Sequence, residues 1–306
     1  MQTVHADYKK LNNEAGMAVA IGNFDGVHKG HKKLLKILQD EANKKGIPSV
    51  VYTFWEHPKN LMGDSLCQKV IYPNDKKEKL FAQDGIHTLF FEDFLKVKDL
   101  EPEEFVKEIL VGRFNIKTAV IGKNGKFGKR SLGDAERLKE LGKIYGFDVL
   151  VVEPFIIDGV VCSSTEIRKA IEGGDFEKAE KMLGRVYSVS GTVVGDKQLG
   201  KTYGYPTANI IPDKCRPSIK NGVYATNTIS DGVTYKSITN VGTTSFDDEE
   251  YHRIETHILD FSGDLYGKEI TVEFLYYMRG FKNFLNTDEL KIQLDEDKKE
   301  RKLGGR

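Results

Sequence analysis

Short apolar runs alternate with helical patterns over the first 184 residues of this 306-residue chain, and past Gly184-Arg185 the alternation stops. That change constrains the fold more than any other feature. Strand candidates Ala18–Ile21, Ser49–Phe54, Thr88–Phe91, Ala119–Ile121 and Val149–Val152 are separated by helix candidates Lys32–Lys45, Asn74–Asp84, Glu101–Val111 and Asp134–Tyr145. Two more helix candidates, Ser164–Glu172 and Phe176–Leu183, follow. Strands alternating with helices predict a parallel, doubly wound, Rossmann-like sheet. From Val186 onward β-rich runs dominate: Tyr187–Val194, Ala208–Ile211, Val223–Ile229, Tyr235–Val241, Ile254–Phe261 and Ile270–Leu275. Turn residues such as Asp231-Gly232 and Ser262-Gly263-Asp264 separate them, which predicts a small closed antiparallel β-barrel. One helix, about Thr287 to Arg301, ends the chain. The expected class is α/β, with one domain over 1–184 and a barrel domain over 185–306.

Lys+Arg and Asp+Glu both total 46, so no global field draws the chain to nucleic acid or to an anionic membrane. The N-terminus MQTVHADYKK lacks a signal-peptide core, and no stretch approaches the ~18 apolar residues of a membrane span. Cys67, Cys162 and Cys215 are odd in number and widely spaced, which argues against a disulfide framework and a zinc site. The expectation is a soluble, cytoplasmic protein with small-molecule partners.

The run Gly22-Asn23-Phe24-Asp25-Gly26-Val27-His28-Lys29-Gly30-His31 sits where a buried strand hands over to a helix. In an open α/β sheet that is where phosphates bind. Glycines admit a ligand close to the backbone, the helix start adds partial positive charge, and neutral histidines add donors. The two histidines lie at i, i+3 with no Cys or acidic partner at ligand spacing, so phosphate is the better reading than metal. Downstream, Cys162-Ser163-Ser164-Thr165-Glu166-Ile167-Arg168 follows an apolar strand and opens a helix. Its hydroxyls can cap that helix, and Arg168 adds the planar cation suited to phosphate.

Together these motifs resemble the HxGH nucleotidylyltransferase superfamily. More narrowly they resemble the bacterial bifunctional riboflavin kinase/FMN adenylyltransferases, or FAD synthetases. Thr53-Phe54 with His57-Pro58, and Gly122-x-Asn124 with Phe127-Gly128, extend the resemblance. It implies that the first domain transfers AMP from ATP to FMN and releases pyrophosphate. His28 and His31 would contact phosphates and Arg168 would neutralise the departing pyrophosphate. Gly22, Phe24, Gly30, Asn124, Ser163, Ser164 and Thr165 would hold nucleotide or flavin, and Asp25 would contact the nucleotide or stabilise the turn.

In the second half, Gly195-Asp196-Lys197-Gln198-Leu199-Gly200-Lys201-Thr202 satisfies the Walker A expression. A P-loop needs a helix immediately afterwards, within a parallel βαβ unit. Tyr203-Gly204-Tyr205-Pro206 follows instead, and proline disfavours helix at the residue before it. The string Gly200-x-x-x-Gly204-x-Pro206-Thr207-Ala208-Asn209 is similar to the PTAN motif of riboflavin kinases. The resemblance implies that Gly200 and Gly204 cover the nucleotide, that Thr207 and Asn209 hold Mg²⁺, and that Glu255 is general base on the ribityl 5′-hydroxyl. Period-2 alternation puts Glu255, His257, Leu259 and Phe261 on one face. If that face is interior, Glu255 is a carboxylate with no evident salt-bridge partner. Gly222-Val223-Tyr224-Ala225, Asn240-Val241-Gly242-Thr243, Leu265-Tyr266-Gly267-Lys268 and Arg279 also match the family.

Four departures stand out. Thr244-Ser245-Phe246 replaces a usual Arg-Pro-Thr, Gly125 a usual phenylalanine and Glu56 a usual proline, while Phe281 stands where a charged residue is common. The function implied is conversion of riboflavin to FMN and of FMN to FAD, with Mg²⁺ and ATP. Two alternatives stay open: a monofunctional riboflavin kinase with a weakened adenylyltransferase site, and a non-catalytic flavin-sensing regulator.

Overall fold

The computed structural model describes residues 1–5, 14–61, 69–195, 205–246 and 249–304. It divides into two compact units, Met1–Ser164 and Thr165–Arg306.

The first unit is built on six parallel strands: β1 (Gln2–His5), β2 (Met17–Ile21), β3 (Ser49–Phe54), β4 (Thr88–Glu92), β5 (Ile116–Gly122) and β6 (Asp148–Val152). Their order across the sheet is β1-β4-β3-β2-β5-β6. The order reverses between β2 and β5, and in an open α/β sheet ligands bind beyond the strand carboxyl ends at that switch point. β2 is buried along its whole length, as a central parallel strand covered on both faces must be. Helix α1 (Lys29–Lys45) buries Leu34, Leu35, Leu38 and Ala42. It ends at Gly46, whose φ of 64° gives the left-handed cap that a side chain would strain. Helices α2 (Asn74–Gln83) and α3 (Ala135–Tyr145) belong to the same unit. The helix expected over Glu101–Val111 opens at Pro102 and continues as a π-helical segment, Phe105–Arg113.

Helix α4 (Ser164–Gly173) leads from the last residue of the first unit into the second, and α5 (Phe176–Leu183) follows. Phe176 of α5 stacks on Phe274 and Tyr187, with ring centroids 4.8 and 5.8 Å away, and meets Tyr224 edge-on at 5.3 Å. Six antiparallel strands follow: β7 (Tyr187–Thr192), β8 (Ala208–Ile210), β9 (Gly222–Ser230), β10 (Val233–Phe246), β11 (Glu249–Ile258) and β12 (Glu269–Arg279), in the order β7-β12-β9-β10-β11-β8. A bridge between Val194 and Asn209 links the two ends of this order, so the sheet curls toward closure.

Inside the curl runs a polar ladder. Thr226 Oγ1 lies 2.8 Å from both Ser237 Oγ and Thr239 Oγ1, Thr239 lies 2.9 Å from Thr256, and Thr228 donates to Ser237 at 2.8 Å. All five residues are fully buried. Their hydroxyls satisfy one another, which removes the cost of burying polar groups alone.

Helix α6 (Thr287–Leu303) is fixed by two arginines. Arg301, buried in the helix, donates to the Thr226 carbonyl and to Asn227 Oδ1 at 2.6 Å. Arg279 at the end of β12 grips buried Asp297 through Nε and Nη2, at 2.9 and 2.6 Å. No described helix is long and apolar enough to cross a membrane.

The strand expected over Ile254–Phe261 instead runs from Glu249 to Ile258, because Asp260 turns the chain with a φ of 55°. Cys162 is a free, buried thiol, whereas Cys215 is disulfide-bonded, against the expectation from cysteine spacing.

Candidate active site

The run Gly22–His31 leaves the carboxyl end of β2 at the switch point. Phe24, Gly26 and Val27 adopt positive φ of 49°, 80° and 40°, an uncommon cost for two non-glycine residues. The loop is held on every side. Asp25 Oδ1 accepts the Ile71 N–H at 2.8 Å, its carbonyl accepts Ser164 Oγ at 2.9 Å, and Thr53 Oγ1 donates to the Asn23 carbonyl at 3.1 Å. Asp25 is itself buried beside Lys77. Burial pushes the Lys77 ammonium down to about 8, against the pull of the Asp25 and Glu78 carboxylates.

His28 caps α1: its Nδ1 accepts the His31 N–H at 3.3 Å. An Nδ1 that accepts leaves Nε2 as the protonated nitrogen of the neutral ring. The two imidazoles stack with centroids 3.6 Å apart and planes 19° apart. Under them lies Phe24, fully buried, 5.1 Å from the His31 ring and 5.7 Å from Phe81. Cys162 Sγ approaches His28 Nδ1 at 3.6 Å and takes the Lys29 and Gly30 amides; burial raises this thiol, and those amides oppose the rise. Three amides at the start of α1 thus point at the protein's own side chains. The donors on offer are ring nitrogens rather than a bare helix N-terminus.

Gly30 is tightly packed here. A Cβ there would lie 3.0 Å from His28 Cε1 and 3.3 Å from the Cys162 carbonyl. Gly22 faces the Phe24 ring in the same way, at 3.1 Å. Asn124 is exposed in the turn after β5, on the other strand of the switch point. Gly125 N–H reaches the Gly122 carbonyl at 2.7 Å, and a Cβ on Gly125 would meet Ile121 Cγ1 at 2.5 Å. This turn has no place for the phenylalanine usual in the family. Ser163 and Ser164 close the first unit, while Thr165 and Arg168 open the second, with Arg168 Nη2 donating to Thr165 Oγ1 at 3.5 Å.

In the second unit, Asn209 of β8 pairs with Glu255 of β11, and Glu255 pairs with Asn240 of β10. Directly opposed residues share a face, so the three side chains form one row. That face is not the interior. Ile254, Thr256 and Ile258 turn inward, and Glu255 and His257 are half-buried on the other side. Glu255 has a partner after all: Arg253 Nη1 lies 3.3 Å from its Oε1. Asn209 is 3% exposed, and its Oδ1 is buried without a hydrogen bond, as is Asn240 Oδ1. A buried acceptor left unsatisfied costs about 1–3 kcal/mol, so two beside one carboxylate point to a ligand. Thr207 is half-buried just before β8. His257 Nδ1 donates to the Pro206 carbonyl at 2.9 Å, and Tyr205 donates to Asp295 of α6 at 2.7 Å. Burial lowers the His257 imidazole and raises the Tyr205 phenol to about 12. Gly200 and Gly204 lie outside the described residues.

Sequence reasoning matched the Asn240 motif without seeing that its side chain faces Glu255. It also missed Lys77, which no local pattern marks, because only the fold brings α2 to Asp25.

Comparison with known proteins adds an independent line. Residues 10–166 match the FAD synthetase family and residues 183–303 the riboflavin kinase family. The bifunctional riboflavin kinase/FMN adenylyltransferase of Escherichia coli strain K12 is 33% identical over 286 residues, 93% of this chain and 91% of that protein. The protein of that description from Pseudomonas fluorescens is 31% identical over 300 residues, covering 97% and 96%. A crystal structure described as a macrolide-efflux protein from Streptococcus pneumoniae superimposes with a TM-score of 0.90 at 30% identity, over 99% of each chain. What is carried over from it is the fold.

Proposed function

Because this chain belongs to the bifunctional riboflavin kinase/FMN adenylyltransferase family, we propose a division of labour in which named residues of each half carry one of its two reactions. The chain phosphorylates riboflavin to FMN and transfers AMP from ATP to FMN, giving FAD and pyrophosphate.

In the kinase step, Glu255 takes the proton of the ribityl 5′-hydroxyl as that oxygen attacks the γ-phosphorus of ATP and ADP leaves. The observation that carries this assignment is the buried, unpartnered Oδ1 of Asn209 directly across the ladder from Glu255. An uncharged oxygen with no donor suits a hard cation, and Thr207 and Asn209 would hold Mg²⁺ there. When bound, Mg²⁺ supplies charge neutralisation for the phosphates. Gly200 and Gly204 would cover the nucleotide. Arg253, ion-paired with Glu255, keeps that carboxylate in place.

In the adenylyl step, an FMN phosphate oxygen displaces pyrophosphate at the α-phosphorus. Such a displacement needs positioning and charge stabilisation rather than a protein nucleophile. His28 presents Nε2–H and His31 stacks against it, so both contact phosphate oxygens. Gly22, Gly30, Phe24 and Asp25 shape the loop that holds them. Ser163, Ser164, Thr165 and Arg168 receive the rest of the triphosphate, with Arg168 neutralising the leaving pyrophosphate, and Asn124 contacts nucleotide or flavin.

The test separates the halves in the full-length protein. Glu255→Gln stops FMN formation from riboflavin while FAD is still made from supplied FMN, and His31→Ala does the reverse. A folded variant that lost both activities at once would refute the division.

A further inference from the structure

On the outer face of the second unit the row Asn209–Glu255–Asn240 has two ends, and the reading above uses only one of them. Asn240 stands on β10, directly opposite Glu255, with its Oδ1 buried and making no hydrogen bond. Its place in the row is the mirror of Asn209, whose Oδ1 is likewise unsatisfied.

One cation does not account for both oxygens. Neighbouring strands lie about 4.8 Å apart, so β8 and β10 are separated by about 10 Å with β11 between them. Magnesium takes its ligands at about 2.1 Å in a tight octahedron, and the Glu255 side chain occupies the middle of the row. The unmet acceptor on β10 is therefore free to take a donor of its own, one strand from the carboxylate that receives the proton of the attacking hydroxyl.

The acceptor substrate carries that donor. A ribityl chain has a second hydroxyl on the carbon next to the one being phosphorylated. With the phosphate donor on the β8 side and the base in the middle, the acceptor approaches from β10. Two residues further along β10 on the same face is Gly242, where the ring of Phe281 rests 3.2 Å from the position a Cβ on Gly242 would take and offers an aromatic surface beside the row.

We propose that Asn240 is a substrate-contacting residue of the kinase site: its Oδ1 accepts a hydrogen bond from the 4′-hydroxyl of the ribityl chain and so aims the 5′-hydroxyl at Glu255. This rests on Glu255 being the base. Site and chemistry make Asn240 a selector for a vicinal diol at the end of the acceptor.

The experiment crosses a side-chain deletion with a substrate deletion. Full-length protein and its Asn240→Ala variant are each assayed for phosphorylation of riboflavin and of 4′-deoxyriboflavin. Removing either partner is expected to lower kcat/KM by about 10- to 100-fold, since it leaves the other group unsatisfied. Removing both is expected to cost little more than removing one. The unaltered protein with the deoxy substrate supplies half the answer without any variant, and a melting curve shows whether Asn240→Ala is folded. Equal use of the two substrates by unaltered protein overturns the proposal. So does a fully additive loss, and so does a variant whose only change is the Mg²⁺ concentration needed for half-maximal rate. A Glu255→Gln protein that still makes FMN would instead overturn the reading beneath it.

Discussion

Replacing Gly30 by alanine adds one methyl group to the protein, and the structure says where that methyl goes. It would lie 3.0 and 3.1 Å from Cε1 and Nδ1 of His28 and 3.3 Å from the Cys162 carbonyl. The carbonyl is backbone and cannot swing away. The His28 ring is held between its cap bond to the His31 amide and its stack on the His31 ring, so relief comes from tilting that stack. Overpacking of this kind costs about 1–3 kcal/mol, while alanine in a helix recovers up to about 1 kcal/mol relative to glycine. Stability is therefore expected to fall by no more than about 3 kcal/mol. Activity is expected to fall further, because misplacing one preorganised donor costs about 3–4 kcal/mol at the transition state, or 10²- to 10³-fold in kcat. The assay is FAD formation from supplied FMN, ATP and Mg²⁺, resolved by chromatography. FMN formation from riboflavin in the same preparation is the internal control. A folded Gly30→Ala protein that makes FAD at the parental rate would refute the claim that the histidine stack is the working part of the loop.

Gly125→Phe, which restores the residue usual in the family, is expected to destabilise the first unit by about 1–3 kcal/mol and to leave the KM for FMN no lower, because the turn has no room for a Cβ; denaturant melts and FMN titrations of the rate check it. Lys77 gives a pH prediction. Its ammonium titrates near 8 when folded and near 10.5 when unfolded, so between those values the unfolded chain binds more protons and stability rises with pH. The full rise is about 3 kcal/mol at about 1.4 kcal/mol per unit. Lys77→Met should abolish that rise, and urea midpoints that climb equally in parent and variant between pH 8 and 10.5 would contradict it.

The sheet of the first unit was legible because its central strands β2, β3 and β4 are buried along nearly their whole length and read as apolar runs between helices. Its edge strand β1 was not: Gln2–His5 has one apolar residue, Val4, and becomes a strand by pairing with β4. The loop Gly22–His31 was legible as a strand-to-helix turn from its glycines and from the apolar run and helical pattern on either side. Its internal economy was not, since Cys162 and Ile71 arrive from distant segments to occupy its amides and carboxylate. On β11 the alternation was read correctly, but it could not say which face looks inward. Thr256 is as polar as its neighbours, and it is buried only because Thr239 waits across the ladder. That ambiguity placed Glu255 in a hypothetical interior when it lines the outer face beside Arg253.

The buried hydroxyls have a bearing on the outer face that no residue there could supply. A buried apolar face already resists a one-residue slip, which turns every side chain over. A chain of hydroxyls 2.8–2.9 Å apart adds to that resistance: displace β10 by one residue and Ser237 and Thr239 leave Thr226, Thr228 and Thr256 facing nothing. The interior thus acts as a proofreading key for strand alignment. Because Asn240 is the residue next to Thr239, and Glu255 the residue next to Thr256, whatever fixes the one pair fixes the other. The alignment of the row Asn209–Glu255–Asn240 is checked from behind, by buried hydroxyls on the opposite face, and the outer face is left free to vary around it.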